Sequence, residues 1–251
     1  MSSPAQLGLG EAGGSSFGEG GIEKRLTALS KHVRLSGDRL LDVGCASGSY
    51  TMRLAQGFHH VDAIDIEPER LEMFRAALEG TELEAKITIA QMSADALAFD
   101  DDLFDMVTTI EVLEHVPDLE GSIREIHRVL RPGGSFCITS PNRYFPIETH
   151  GVIVGGRRRP PSHAPFITWV PPLHRRVADA RSFTVRGLSS TIEAAGFRRT
   201  SFDYIMPPFD RSAMGRRIRP ITDRIERSPL KFFGMALVLV FTKNNVGGAG
   251  K

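Results

Sequence analysis

The chain has 251 residues, of which 41% are hydrophobic, and its formal net charge is +1, as expected for one substantial globular α/β domain. Its two cysteines exclude a disulfide framework, and its most apolar run, Phe232 to Phe241, is about half the length that a membrane-spanning helix needs. We therefore expect a reduced, cytoplasmic protein without a signal peptide or a membrane helix.

The charge is divided unevenly along the chain. Residues 1–150 contain 13 Lys and Arg against 24 Asp and Glu, a net charge of −11, whereas residues 151–251 contain 18 against 6, a net charge of +12. This asymmetry points to an anionic partner or surface that contacts the C-terminal half. The alternative is that the arginines only solvate helices and pair with the acidic half, and the sequence leaves both open.

The N-terminal segment changes character near residue 22. Residues 1–21 are rich in Gly, Ser and Glu and hold few large apolar groups, so we expect a disordered tail. Residues 22–35 then predict an amphipathic helix, because apolar side chains recur at helical spacing at Ile22, Leu26, Leu29 and Val33.

The stretch Leu40 to Tyr50, LLDVGCASGSY, predicts a buried parallel strand that turns sharply into a helix. Gly44, Ala46 and Gly48 keep side chains out of this turn, so a ligand can approach the main chain and the amides of the following helix. Ala46 adds only a methyl group, and an alanine with a negative φ, as expected here, would still leave room for a ligand. A nucleotide-like cofactor is the natural occupant, although spaced glycines also occur where a helix merely packs close to a sheet.

A second predicted strand, Val61 to Ile66, ends near Asp65, which lies 21 residues beyond Gly44. An acidic side chain at about this interval can accept hydrogen bonds from ribose hydroxyls. At this point a nicotinamide dehydrogenase and an S-adenosylmethionine enzyme fit equally well.

Later elements separate these two possibilities. The predicted helices are Pro68 to Glu79 and Asp118 to Leu130. The predicted strands are Lys86 to Ala90 and Met106 to Ile110, which lie between these helices, and Ser135 to Ser140, which follows the second helix. With DVGCASG at 42–48, EVLEHV at 111–116 and RVLRPGG at 128–134, the chain resembles the class I S-adenosylmethionine-dependent methyltransferases over roughly Leu40 to Pro141. The set of motifs is specific, and the one departure is Ala46, which stands where the family has its middle glycine.

The resemblance implies a three-layer Rossmann-like α/β sandwich with a mostly parallel seven-stranded sheet whose last strand is antiparallel. It also implies the cofactor contacts. We expect the methionine portion of the cofactor to be faced by Asp42, Gly44, Ala46 and Gly48. We expect the ribose to be faced by Asp65, and the adenine by Ile66, Asp95 and Ala96. Glu111 should lie next to the reacting methyl group.

Beyond Ser140 the pattern breaks, because residues 141–182 are rich in proline and show no clear helical or strand period. We interpret this segment as a substrate lid within a single domain, 22–246, followed by a frayed end, 247–251. A helix, Thr184 to Ala195, and two strands, Phe197 to Ile205 and Gly234 to Thr242, complete the predicted fold.

The lid supplies the candidate substrate and catalytic residues. Tyr144 and Phe145 are candidates for an apolar wall, and Glu148 and His150 for activation of a hydroxyl. His115 is a third candidate base. The alternative is that these side chains only pin the loop or pack beneath it. Eight scattered histidines without close Cys or carboxylate spacing argue against a metal site.

The predicted function is S-adenosylmethionine-dependent O-methylation of a small-molecule, carrier-linked or lipid-linked acceptor, with peripheral contact to an anionic membrane surface. Thr109 to Val112 replaces the N/D-P-P-Y/F signature of many nucleic-acid amino-methyltransferases, so DNA is not an expected partner. The alternatives are a non-catalytic S-adenosylmethionine-binding scaffold and a nicotinamide dehydrogenase. The sequence names neither the acceptor nor the oligomeric state.

Overall fold

The computed structural model of this chain describes residues 18–154, 157–159, 165–178, 180–209 and 213–244. Residues 1–17 of the predicted tail and the whole predicted end 247–251 lie outside the described residues.

The described strands form one seven-stranded sheet and a short hairpin. Their bounds are β1 Gly37–Val43, β2 Phe58–Asp65, β3 Ile87–Gln91, β4 Phe104–Ile110, β5 Leu130–Pro141, β6 Val152–Val154, β7 Arg157–Arg159, β8 Phe197–Ile205 and β9 Ala236–Lys243. The sheet order is β3-β2-β1-β4-β5-β9-β8, and β9 runs antiparallel to both of its neighbours whereas β1 to β5 pair in parallel. The predicted topology, including the antiparallel last strand, is confirmed.

The helices are α1 Gly18–Ser30, α2 Thr51–Leu54, α3 Pro68–Leu78, α4 Leu119–Val129, α5 Pro171–Val177, α6 Val185–Ala194 and α7 Ala213–Glu226, with 3-10 turns at Ala55–Gly57, Ile167–Trp169 and Pro229–Phe233. Two begin at side-chain caps, since Asp118 accepts the Gly121 amide at 2.8 Å and Thr184 accepts the Gly187 amide at 3.0 Å.

Helix α1 begins four residues earlier and ends five residues earlier than the predicted 22–35, so the expectation of disorder is wrong for residues 18–21. Within the helix, Arg25 donates to the Gly21 carbonyl at 3.2 Å, and beyond the helix a tertiary contact places the His32 ring 2.6 Å from the Ser201 hydroxyl on β8. The helix therefore ends just before His32, which contacts the edge strand β8.

Alternation along the strands divides the core into two apolar layers. Leu40 and Val61 belong to the layer that includes residues of α1 to α3, whereas Leu41 and Ile64 belong to the layer with α4 and α6. Each fully buried side chain of this size contributes about 1.5–3 kcal/mol. The two layers hold the sheet rigidly and fix the positions of its carboxyl-terminal loops.

The segment 141–182 is more regular than predicted, because it contains the β6–β7 hairpin, a 3-10 turn and α5. Pro171 and Pro172 open α5, where a missing amide costs no helical hydrogen bond. Within the residues that the structure describes, no helix is long and apolar enough to cross a membrane.

Candidate functional site

A cavity of about 510 Å³ lies at the ends of β1, β2 and β4, with Val43, Ile66 and Glu111 in its wall. This volume suits a small organic ligand, and the place, where chain crossovers leave the sheet in opposite directions, is the usual ligand crevice of such sheets. The predicted site residues in its lining are Gly44, Ala46, Asp65, Ile66, Asp95, Glu111, His115 and His150.

The turn after β1 is shaped by left-handed backbone. Gly44, Ala46 and Gly48 have φ values of 75°, 48° and 82°, so the expected negative φ at Ala46 is wrong. The Ala46 amide donates to the Asp65 carboxylate at 2.9 Å, and this contact holds the residue in a conformation that glycine would adopt freely. A methyl group added to Gly44 or Gly48 would overlap Val112 or Phe74, respectively, so the bare backbone is a steric requirement.

Asp65 ends β2 and faces the cavity. One of its oxygens accepts the Ala46 amide, and the other accepts the Glu67 amide at 3.0 Å. A carboxylate offers about four acceptor positions, so two remain for a ligand. Beside it, 61% of the Ile66 side chain is exposed, which provides an apolar surface at the cavity wall.

Asp42 is not in the cavity lining. Its carboxylate accepts hydrogen bonds from the Thr51 hydroxyl at 2.6 Å and the Thr108 hydroxyl at 2.7 Å, and burial raises its pKa to about 6. Gly48 and Ala96 also lie outside the lining, whereas Asp95 is in it and accepts the Ser93 hydroxyl.

Glu111 follows β4 with a φ of 59°, a strained conformation for this residue type. It accepts a hydrogen bond from Thr139 at 3.0 Å and lies 3.3 Å from the guanidinium of Arg25. Burial alone would raise the pKa of Glu111, but the positive charge of Arg25 and the hydrogen bonds with Arg25 and Thr139 help to lower it. Glu111 is therefore an ionised carboxylate.

Glu114, His115 and His150 meet on the same side of the cavity. The ring of His150 lies 3.6 Å from Glu114 and 5.0 Å, between centroids, from the ring of His115. One oxygen or nitrogen of each residue lies within 4.8 Å of the others, so the group could hold a metal ion. Burial and the negative charge of Glu111 raise the pKa of Glu114 well above its ordinary value, which favours a neutral acid.

Glu148 lies behind the cavity wall and braces His150. One of its oxygens accepts the amides of Thr149 at 2.9 Å and His150 at 3.0 Å, and the other lies 2.5 Å from the ring of His174 in α5. Burial alone would raise the pKa of Glu148, but the hydrogen bond with His174 helps to lower it.

The two candidate wall residues face elsewhere. Tyr144 packs against Phe232 with 5.2 Å between ring centroids, and Phe145 is part of the core beneath α1 to α3. Neither lies in the cavity lining, where Val116 and Met235 supply apolar surface instead.

The sequence reasoning missed Arg25 and Glu114. Arg25 is only 3% exposed and lines the cavity. Its spacing in the sequence could have indicated this burial, because it lies three positions after Ile22 and four before Leu29, on the apolar side of the first helix. Glu114 is the second acid of EVLEHV and is buried, but its position between Leu113 and His115 does not indicate burial.

The sequence of this chain is also similar to known proteins. Residues 41–138 match the family model described as a methyltransferase domain. Ubiquinone biosynthesis O-methyltransferases from Xylella fastidiosa and Marinobacter nauticus are 39% and 37% identical over 120 and 122 residues, respectively. These matches cover 47% of this chain and 48% and 50% of the relatives, so the chain spans about half the length of the curated relatives it matches.

Solved structures match over more of the chain. A Mesorhizobium loti S-adenosylmethionine-dependent methyltransferase has a TM-score of 0.64 at 20% identity, covering 88% of this chain and 100% of that one. The [4+2]-cyclase SpnF has a TM-score of 0.60 at 22% identity, covering 88% and 81%. These likenesses show the fold.

Proposed function

Because the chain belongs to the class I S-adenosylmethionine-dependent methyltransferases, we propose that it transfers a methyl group to an oxygen of a small-molecule or carrier-linked acceptor. Family and fold imply S-adenosylmethionine as the cofactor. The observation that carries the proposal is the cavity in which a side-chain-free turn, Asp65 and an ionised Glu111 converge. The relatives' O-methyltransferase names support oxygen as the methylated atom.

The residues of the cavity fit the cofactor from end to end. In this proposal the Asp65 carboxylate accepts the ribose hydroxyls, Ile66 covers an adenine face, and Asp95 accepts the adenine amino group. The amino-acid end carries both an ammonium and a carboxylate, and the paired charges of Glu111 and Arg25 match them. Asp42, Gly48 and Ala96 act indirectly by holding the turn and the neighbouring loop.

The bound cofactor supplies an electrophilic methyl group on a sulfonium, so the protein mainly has to place the acceptor and take its proton. We assign proton acceptance to the ring of His150, which lines the cavity together with the Glu111 carboxylate. Glu148 fixes the backbone of His150, and His115 packs against its ring. The apolar surfaces of Val116 and Met235 exclude water from this side.

We propose that the His150 group works without a metal ion, because Glu114 is buried outside the cavity lining. Chelation tests this directly, as described in the Discussion.

We also propose that the acceptor is lipid-linked and that the protein is a cytoplasmic enzyme in peripheral contact with an anionic membrane. The net charge of +12 on residues 151–251 supports this, and DNA is not an expected partner.

The test combines calorimetry of S-adenosylmethionine and S-adenosylhomocysteine with transfer of a labelled methyl group. The acceptors are catechols, hydroquinones and a total lipid extract, and we expect product in an organic-soluble fraction. Because SpnF is described as a cyclase, the fold alone does not require methyl transfer. Tight cofactor binding without labelled product from any acceptor would favour a non-catalytic scaffold, and NADH binding without S-adenosylhomocysteine binding would favour a dehydrogenase.

A further inference from the structure

The segment that carries His150 also exposes a set of large apolar side chains. Phe166, Trp169, Val170 and Leu173 are 53%, 46%, 48% and 49% exposed, although they lie within eight consecutive residues. Folded proteins expose such side chains singly, and a contiguous group marks an interaction surface. We call these four residues and Leu230, which is exposed on the 3-10 turn Pro229–Phe233, the apolar face.

Ring contacts join the two parts of this face. Phe166 lies 4.9 Å from Trp169, and Trp169 lies 6.2 Å from Phe233, which follows Leu230 in the same 3-10 turn. The Trp169 indole N–H donates to the Tyr144 carbonyl at 3.1 Å, so the ring is held in place. The face is therefore a fixed surface that presents rings and aliphatic side chains together.

On the segment that carries Phe166, Trp169, Val170 and Leu173, the exposed charges have one sign. Arg175 and Arg176 are exposed on α5, and Arg157 is exposed on the neighbouring hairpin. Within 141–178, among the residues that the structure describes, the only acidic side chain is Glu148, and it is buried against His174. A tryptophan and a phenylalanine bordered by arginines match the interface of an anionic bilayer, where rings enter the headgroup layer and guanidinium groups meet phosphates.

We propose that the apolar face docks on the surface of a bilayer that contains anionic phospholipid. The membrane is the partner in the proposed methylation of a lipid-linked acceptor, and the biological purpose of docking rests on that proposed function. Docking itself requires neither cofactor nor acceptor. Helix α5 links the two regions: Leu173 points to the surface, while the adjacent His174 is buried on Glu148, which holds the His150 backbone. Docking thus places the cavity wall next to the lipid from which the acceptor comes.

The chain provides its own probe, because Trp169 is its only tryptophan. The full-length protein is titrated with vesicles of phosphatidylglycerol mixed with phosphatidylcholine and with vesicles of phosphatidylcholine alone. We expect a blue shift of Trp169 emission and co-sedimentation with the mixed vesicles only, and weaker binding as salt is raised.

Two variants localise the contact. Phe166→Ser with Leu173→Ser should weaken vesicle binding about tenfold or more because it removes inserted apolar surface, and Arg175→Gln with Arg176→Gln should also reduce the salt dependence. Met73→Ser on α3 and Arg124→Gln on α4 are matched exposed controls, and their vesicle binding should be unchanged. Circular dichroism checks that every variant is folded.

Equal emission with both vesicle types, or unchanged binding by the two double variants, would overturn the proposal. It would also be overturned if sedimentation showed a dimer that the same variants dissociate, because the face would then be a contact between copies of this chain. None of these outcomes bears on methyl transfer to a soluble acceptor, which is measured separately.

Discussion

The carboxylate of Asp65 accepts the main-chain amide of Ala46 at 2.9 Å, which ties the end of β2 to the turn after β1. One acidic side chain thus shapes the turn and faces the cavity beside it. Its removal should affect the predicted ligand at the nucleoside rather than at the amino-acid end.

We expect Asp65→Asn to weaken S-adenosylhomocysteine binding by about 1–3 kcal/mol, because charge-assisted hydrogen bonds to the ribose are lost. Binding of methylthioadenosine, which has the ribose but no amino-acid end, should weaken equally. Calorimetry measures both affinities, and Glu69→Gln in the exposed first turn of α3 is the control. An unchanged affinity for both ligands would make the ribose assignment wrong.

Arg25→Met should have the complementary effect. The buried guanidinium is proposed to meet the cofactor carboxylate, so S-adenosylhomocysteine binding should weaken by about 2 kcal/mol or more while methylthioadenosine binding changes little. The same calorimetry separates the two ends of the ligand. Equal loss for both ligands would show that Arg25 supports the cavity only through its ion pair with Glu111.

Ala46→Gly should stabilise the protein by about 1 kcal/mol, since glycine adopts a left-handed conformation without steric cost. Ala55→Gly is the matched control, because Ala55 has a φ of −58° and is buried, and this variant should be less stable. Urea unfolding gives both values. Destabilisation of similar size in both variants would contradict the left-handed assignment.

His150→Asn should lower the turnover number for O-methylation by about 10²–10⁴-fold without changing S-adenosylhomocysteine affinity, because it removes the proton acceptor. Activity of the wild-type enzyme should persist after chelation with EDTA. If EDTA abolishes turnover and Mg²⁺ or Zn²⁺ restores it, Glu114, His115 and His150 are cation ligands rather than acid–base groups.

Glu148→Gln should destabilise the protein by about 3 kcal/mol near neutral pH, because it breaks a buried contact with His174. The pKa of Glu148 is lowered in the folded state, so the ionised carboxylate stabilises the fold above its ordinary value of 4.5, and this contribution is lost as the pH falls through the lowered value. Unfolding of wild type and variant should therefore converge in acid. Glu193→Gln, at an exposed position of α6, should follow the wild type at every pH.

The strands and glycine turns could be predicted from local patterns, and the family resemblance then implied the mostly parallel sheet with an antiparallel last strand. The backbone conformation of Ala46 could not be predicted in this way, because it depends on a hydrogen bond to Asp65 at the end of the neighbouring strand β2. Glu148 shows a second limit: residue type predicts a base, but the direction of the side chain depends on His174, 26 positions away. Arg25 shows a third, since an amphipathic pattern does not show which charged side chain is turned inward.

Strand β9 separates β5 from β8, so the order of folding differs from the order of synthesis. Strands β1 to β5 can pair as they leave the ribosome, but β8 has no neighbour in the sheet until residues 236–243 arrive and Ser135 pairs with Thr242. Such long-range pairing is slow to form. A nascent chain stalled before β9 should therefore carry a folded amino-terminal half and an unpaired β8 available to chaperones or to another chain.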